Sequence, residues 1–394
     1  MLDNFIIVIF IFSVLLVVYH HLIYPILLGL VAKNKFNKTI AYPNIRIRSY
    51  LESENDTDAS CYSIIIPAFN ESKYVAEKIR NLCVLDYPKD KYEFILLCDG
   101  CTDMTYEISL KTIKEFICSD LNCHVMNFST NQGKVAMLHE GVKKSKFENI
   151  VFSDVSALLP VNSLLMLDTH FKDLTVGAVS GGYRFIQKGT AGEQSYWSYQ
   201  SMIKTRESSV ASVLGAHGAF YAIRKVCYKK LPANIINDDF VIPMNIIKQG
   251  YRVVYESRVV AIELEKVNLE QDMKRRLRIS AGNFQQLFYL SSLLLPKYGW
   301  NAFNFASGKA LRAITPFILL FILITNLYLA IDYFEFKILL ICQTLIYGTV
   351  IAVNILNLSM NIVLVKLICY LVNGYWIALK GSFRYIFGLQ KKVW

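Results

Sequence analysis

Charge is scarce in this chain: Asp, Glu, Lys and Arg make up 19% of its 394 residues, against 54% hydrophobic residues. The apolar excess lies at the two ends, which excludes one compact soluble fold and points to membrane insertion. The marks of a secretory leader are missing. The first apolar run, Phe5 to about Val31, has no basic leader and no small-residue cleavage site, and it is too long for a leader core. The nine cysteines are an odd number, Cys342 and Cys369 sit inside apolar runs, and no second Cys-x-x-Cys pair joins Cys98 and Cys101. These absences exclude a secreted disulfide framework and weigh against a zinc site. The apolar segments show no internal repeat and hold almost no ionisable residues beyond His20, His21 and Lys366, so a transporter fits poorly.

The net charge of +11 has two readings, basic flanks on anionic lipid or a polyanionic substrate such as a nucleotide diphosphate. Lys33, Lys35 and Lys38 follow the first run directly and Asp3 precedes it, which predicts an outside N-terminus and a cytoplasmic region from Lys33 onward. Tyr19, His20 and His21 interrupt the run, as in a tilted span or one with an interfacial extension. From about Ile40 to Tyr298 the composition is that of a soluble domain. Three more apolar stretches follow, about Ala313–Ile331, Ile338–Leu356 and Ile362–Leu379, each near the length of a span. Phe284–Leu295 is shorter and amphipathic, suited to an interface. The expected divisions are therefore 1–34 as a span, 35–283 as a catalytic domain, 284–312 as an interfacial segment and 313–394 as a membrane region. Three C-terminal spans would leave the C-terminus outside, whereas Lys380, Arg384, Lys391 and Lys392 favour the inside.

Tyr62–Pro67, Tyr92–Cys98 and Asn149–Ser153 read as short buried strands. Helical spacing over Glu71–Leu85 and Lys134–Lys146 alternates with them, predicting an open α/β sheet that binds ligands at its carboxyl strand ends. Each strand runs into polar residues: Pro67-Ala68-Phe69-Asn70-Glu71, then Asp99-Gly100-Cys101-Thr102-Asp103, then Asp154-Val155-Ser156. A carboxylate at the end of a buried strand is costly without a partner, and three on one sheet edge suit a base, a ribose and a divalent cation. Singly each is weak, since Asp-Gly is a common turn and an Asp after a strand often caps a helix. Gly133-Lys134 opens a helix where phosphate can approach, or forms an ordinary cap. In Asn237-Asp238-Asp239-Phe240, adjacent carboxylates repel and can raise one pKa towards that of a general base; a solvated helix N-terminus is the alternative. Arg275 and Arg278 share one helix face that could grip a diphosphate or touch lipid headgroups.

In their order these motifs resemble the family 2 inverting glycosyltransferases, in particular the membrane-bound polysaccharide synthase branch of cellulose, chitin and hyaluronan synthases. The resemblance covers about Ser63 to Gly282. It implies an α/β GT-A fold with a mixed, mainly parallel sheet, one N-terminal and about three C-terminal transmembrane helices. It implies that Pro67, Ala68, Asn70 and Glu71 line the nucleotide, that Asp99 contacts the base with Asp103 in the following turn, and that Lys134 is the basic residue after the glycine. Asp154 matches the first carboxylate of Asp-x-Asp, reaching ribose and metal, while Ser156 stands in place of the second. Asp239 matches the general base, with Asp238 before it. Tyr196, Trp197, Gly215, His217 and Gly218 match the acceptor region, and Arg275-x-x-Arg278-Ile279 stands where synthases carry Gln-x-x-Arg-Trp.

The implied reaction is one in-line displacement with inversion, with Asp239 as base and Arg278 and Mg2+ or Mn2+ facing the departing diphosphate. The implied partners are a nucleotide-sugar donor, expected as a UDP-sugar, a polysaccharide or lipid-linked acceptor, and the bilayer, with no nucleic acid. The implied location is the plasma (inner) membrane, multi-pass, with a cytoplasmic catalytic domain. Four spans in one protomer leave little room for a pore, so a homodimer or an exporter partner is the expected remedy. Ile279 in place of Trp weakens the case for processivity and keeps single transfer to a lipid-linked acceptor open. The degraded Asp-x-Asp leaves a catalytically silent nucleotide-binding subunit as the remote alternative.

Overall fold

The computed structural model describes residues 1–39, 58–186, 191–265, 269–356 and 362–390. In chain order its elements begin with α1 (Leu2–Val18), α2 (Tyr24–Thr39), β1 (Tyr62–Ala68), α3 (Val75–Cys83), β2 (Tyr92–Asp99) and α4 (Thr105–Thr112). There follow β3 (Asn122–Phe128), α5 (Lys134–Lys144), β4 (Asn149–Phe152), β5 (Ala157–Leu158), α6 (Ser163–Phe171), β6 (Val176–Phe185) and α7 (Ala191–Val210). The last are β7 (Tyr221–Arg224), α8 (Asp238–Lys248), β8 (Arg252–Glu263), α9 (Leu269–Tyr289), α10 (Trp300–Asn304), α11 (Leu311–Leu329), α12 (Phe334–Leu356) and α13 (Val363–Ile386). The chain forms two compact units. One comprises Met1–Val31, Gly189–Ser198 and Asn268–Lys391, the other Ala32–Lys188, Tyr199–Val267 and Lys392–Trp394.

The second unit is built on one eight-stranded sheet of order β3-β2-β1-β4-β7-β6-β8-β5. β3, β2, β1 and β4 run parallel, β7 is antiparallel to β4 and β6, and β6 and β8 return to a parallel pairing. This is the mixed, mainly parallel sheet of the sequence reading. Every residue of β1 and β2 is buried, because parallel strands covered on both faces need unbroken apolar runs rather than alternation. Ile64 lies between Phe94 of β2 and Val151 of β4 in register. At the sheet edge β3 alternates exposed and half-buried residues, which is why its polar sequence gave no strand signal. On α3, Val75, Ile79 and Leu82 are fully buried, the stripe expected of a helix laid on a sheet.

In the first unit three helices are long and apolar enough to cross a membrane among the described residues: Leu2–Asn34, Trp300–Leu329 and Phe334–Leu356. Each starts before its expected span, and the second ends at Leu329 rather than Ile331. The first passes through a π-helical turn at Tyr19–Ile23, and the second through another at Phe305–Ala310. Tyr19 Oη meets Ser307 Oγ at 2.8 Å, and His20 Nδ1 donates to the Ser307 carbonyl at 2.9 Å, so the interrupting polar residues are satisfied between helices. Phe10 of α1 packs with Ile322 and Leu329 of α11. Tyr328 and Tyr333 donate to the Asp3 carboxylate.

The third expected C-terminal stretch, Ile362–Leu379, falls in α13, which runs on to Ile386 with Lys366, Lys380 and Arg384 along it. It packs on α9 so closely that a Cβ on Gly381 would stand 2.5 Å from Ser280 Cβ and 2.8 Å from the Leu277 carbonyl. The boundary expected at 283 falls inside α9, which belongs as a whole to this helical unit. Phe284–Leu295 is correspondingly no separate helix: α9 ends at Tyr289 and 3-10 turns follow at Ser291–Leu294 and Pro296–Tyr298.

Candidate active site

At the carboxyl end of β2, Asp99 is 0% exposed. Its carboxylate oxygens accept from the Gln132 and Gly133 amides at 2.7 and 2.8 Å. The sequence reading gave Asp99 to the nucleotide base. In the structure those oxygens fix the turn that starts α5, leaving Lys134 at the helix entrance. Gly100 follows at φ +63°, and a Cβ there would lie 2.4 Å from Asn131 N. Only glycine allows the two loops to approach so closely.

The β1 loop is braced against the same turn. Asn70, itself at φ +57°, accepts from the Thr102 amide at 2.8 Å and donates to Thr102 Oγ1 at 3.2 Å. Asp103 accepts from the Ser72 amide at 3.1 Å and the Thr105 amide at 3.0 Å. It thus works as a cap between loops. Pro67 and Ala68 are buried in β1, so only residues after Ala68 project into the loop. Glu71 holds its amide on Thr105 Oγ1 at 2.8 Å. Burial, with Asp154, Glu265, Glu263 and Asp103 around it, pushes the Glu71 carboxyl up to about 8.

Beyond β4, Asp154 accepts from Lys134 Nζ at 2.7 Å, their side chains being 36% and 20% exposed. Burial works against the Lys134 charge, but Asp154, Asp238 and Asp239 hold its ammonium well above the usual lysine range. Asp238 and Asp239 open α8. Asp239 Oδ2 accepts from the Gly218 amide at 3.1 Å. Asp238 is 6% exposed and its Oδ2 has no hydrogen-bond partner. Burial, with Asp239 and Asp154 nearby and Lys134 opposing, raises its carboxyl to about 6. The adjacent pair is therefore divided into a buried member with a raised pKa and a half-buried one held by a backbone amide.

Gly218 is where these groups converge. A Cβ on it would stand 3.4 Å from each of Asp154 Oδ2, Asp239 Oδ2 and Lys134 Nζ. Residues after β4 and at the starts of α5 and α8, spread over 105 residues from Lys134 to Asp239, thus surround one point. His217 stacks on Tyr183 with ring centroids 4.3 Å apart and planes 7° apart. Gly215, at φ +78°, faces the Phe240 ring. Tyr183 is a residue the sequence reading missed, and so are Glu263 and Glu265 at the end of β8. The Glu-Leu-Glu run after an apolar strand was the available signal for the two acids.

A sequence model described as "Glycosyl transferase family 2" matches residues 63–231, the stretch that carries Lys134, Asp154 and Gly218. The chain carries a glycosyltransferase family 2 domain. Its fold is GT-A-like. The mannosyltransferase PcManGT from Pyrobaculum calidifontis, solved with GDP-Man and Mn2+, superposes with a TM-score of 0.72 at 19% identity, covering 97% of this chain and 100% of that one. A poly-beta-1,6-N-acetyl-D-glucosamine synthase of Staphylococcus epidermidis is 25% identical over 250 residues, 61% of this chain and 58% of the relative. A beta-monoglucosyldiacylglycerol synthase of Nostoc sp. is 28% identical over 141 residues, 36% of this chain and 29% of the relative. The chain thus spans little more than half of the former's length.

The family 2 domain ends before Asp238, so α8 and β8 add their carboxylates from outside the matched stretch. Among the described residues no three of His, Cys, Asp and Glu are arranged to hold a metal ion, and Ser156 is 7% exposed. Asp154, Glu265, Glu263 and Asp103 all act on the Glu71 carboxyl, and carboxylate oxygens are the ligands that a hard cation would take. The side chains of Tyr196 and Trp197 lie outside the described residues. Arg275 and Arg278 lie on α9 of the helical unit, and their assignment to a diphosphate stays with the family motif.

Proposed function

We propose that this chain is a membrane-embedded, inverting glycosyltransferase that moves a sugar from a nucleotide donor, a UDP-sugar, to a growing polysaccharide. The convergence of Asp154, Lys134 and Asp239 on Gly218 carries the reading. It supplies a donor-side carboxylate and ammonium beside a carboxylate held by a backbone amide. Asp239 takes the proton of the acceptor hydroxyl as that oxygen attacks the anomeric carbon. The bond from that carbon to the diphosphate breaks with its electron pair on the diphosphate, which inverts the centre without a sugar–enzyme intermediate. Lys134 offers positive charge on the phosphate side of the site. Asp154 would hold a Mg2+ or Mn2+ ion, which would supply further charge neutralisation on the donor side. Asp238, whose carboxyl is raised to about 6 by burial, is protonated below that pH and there limits repulsion beside the base.

Membrane insertion is supported by the three long apolar helices, and the basic residues after the first favour a cytoplasmic, inner-membrane placement of the catalytic unit. The name of the Staphylococcus relative supports a polymer as product. A second reading, single transfer to a lipid acceptor, draws on the Nostoc relative's name and on Ile279 in place of the synthase tryptophan. The deciding experiment supplies purified protein in lipid with a panel of nucleotide-sugars and Mn2+, and separates products by size. A ladder of long chains supports the synthase, and one sugar added to lipid supports the second reading. No turnover with any donor, and no nucleotide binding, would overturn both.

A further inference from the structure

On α3 the buried stripe Val75, Ile79, Leu82 is broken by a lysine. Lys78 occupies the position between them and is 0% exposed, among the largest fully buried side chains of the protein. An amine placed in an apolar stripe is costly unless every donor finds an acceptor, so its presence asks for a use. Lys78 Nζ donates to Ser153 Oγ at 2.7 Å and to the Ala157 carbonyl at 2.5 Å. These two residues bracket Asp154-Val155-Ser156. Ser153 Oγ in turn donates to the Ala219 carbonyl at 2.7 Å, beside Gly218. The Ser153 amide is tied to the Ile65 carbonyl of β1 at 3.2 Å. Asp154 and Glu263 lie within electrostatic reach of the amine.

We propose that Lys78 is a positioning residue: its two N–H bonds clamp the loop that presents Asp154 and, through Ser153, tie that loop to the Gly218 turn facing Asp239. Lys78 meets no reacting atom. It acts on the donor side of the site through Asp154, and the inference rests on the donor reading given above. An amine keeps two donors whether or not it carries its third proton, so the clamp persists in either state. The polar bonds also explain why an apolar residue does not serve here. Methionine would fill the stripe equally well but would release the Ala157 carbonyl and one acceptor site on Ser153.

The test compares full-length Lys78→Met, which keeps the volume and loses both donors, with Lys78→Gln, which keeps two N–H donors without the charge. Amide hydrogen exchange is followed in the free protein over 153–158 and 217–220. Binding of UDP with Mn2+ is measured separately. In Lys78→Met we expect exchange in both loops to quicken about tenfold, with the rest of the sheet unchanged. We also expect half-saturation by the nucleotide to rise by about tenfold, the scale on which small misplacements act at such sites. In Lys78→Gln, whose amide nitrogen sits one bond short of the amine, both effects should be smaller than in Lys78→Met. Exchange in Lys78→Met within twofold of the parent would overturn the clamp. If the parent protein binds no nucleotide, the donor reading fails, while the exchange comparison still decides the clamp.

Discussion

Replacing Asp239 by Asn tests the chemistry with the least disturbance of the fold. Asn keeps a carbonyl oxygen where Asp239 Oδ2 accepts from the Gly218 amide at 3.1 Å, so the turn facing Asp154 and Lys134 should hold. What is lost is the basic oxygen. A positioned general base contributes typically about 10²–10⁴-fold in rate, equivalent to about 3–5 kcal/mol of transition-state stabilisation at 1.36 kcal/mol per decade. The substitution also removes one of the negative charges that raise the Asp238 carboxyl, so Asp238 should titrate lower in the variant. Turnover is read as UDP released with sugar incorporated at saturating donor, and nucleotide affinity by titration with Mn2+ present. We expect kcat to fall by at least about 10²-fold with nucleotide affinity within about threefold, since the donor-side groups are untouched. Turnover within tenfold of the parent would remove Asp239 as the base. An equal loss in nucleotide affinity would mean that it serves the donor instead.

Three further expectations follow from the same geometry. Burial and its acidic neighbours place the Glu71 carboxyl at about 8, against an ordinary value of 4.5. The folded state therefore holds a proton that the unfolded chain has lost between those pH values, and stability falls as pH rises through this window. Glu71→Gln should gain thermal stability over the parent as pH rises from about 4.5 to 8 and no more above it; a gain independent of pH would refute that origin. Gly100→Ala would place a Cβ 2.4 Å from Asn131 N at φ +63°. We expect at least about 2 kcal/mol of destabilisation from left-handed strain and overpacking, seen in denaturant unfolding, together with weaker nucleotide binding; an unchanged midpoint would contradict the close approach. Lys134→Met strips the ammonium that meets Asp154 at 2.7 Å. It should weaken nucleotide diphosphate binding more than nucleoside binding, and equal losses in a competition titration would place the charge away from the phosphates.

The sequence by itself determined the order of the strongest elements and the class of chemistry. β1, β2 and β4 are buried on both faces, so their apolar runs had to be nearly continuous and were legible. The carboxylates following them were legible for the same reason, since a charge directly after such a run stands out. The long apolar helices were readable from length alone, although the second starts at Trp300 rather than near Ala313, where a π-helical turn carries it through Phe305–Ala310. Edge strand β3 and the glycine-rich β6 escaped notice: an edge needs no apolar run, and glycine gives no strand signal.

Tertiary structure alone decided which partners the candidate residues meet. Asp99 and Asp103 have the same motif standing as Asp154, yet backbone amides that only the folded loops bring near take up their oxygens. Asp238 and Asp239 are neighbours in sequence, but the entry of α8 buries one and offers the other to Gly218. Lys78 lies in the stretch read only as helical, and it is buried only once the sheet closes over it. Periodicity reports which face of an element is apolar, whereas the partner of a buried polar atom is fixed by chain segments far away in sequence, and that pairing exists only once the sheet is assembled.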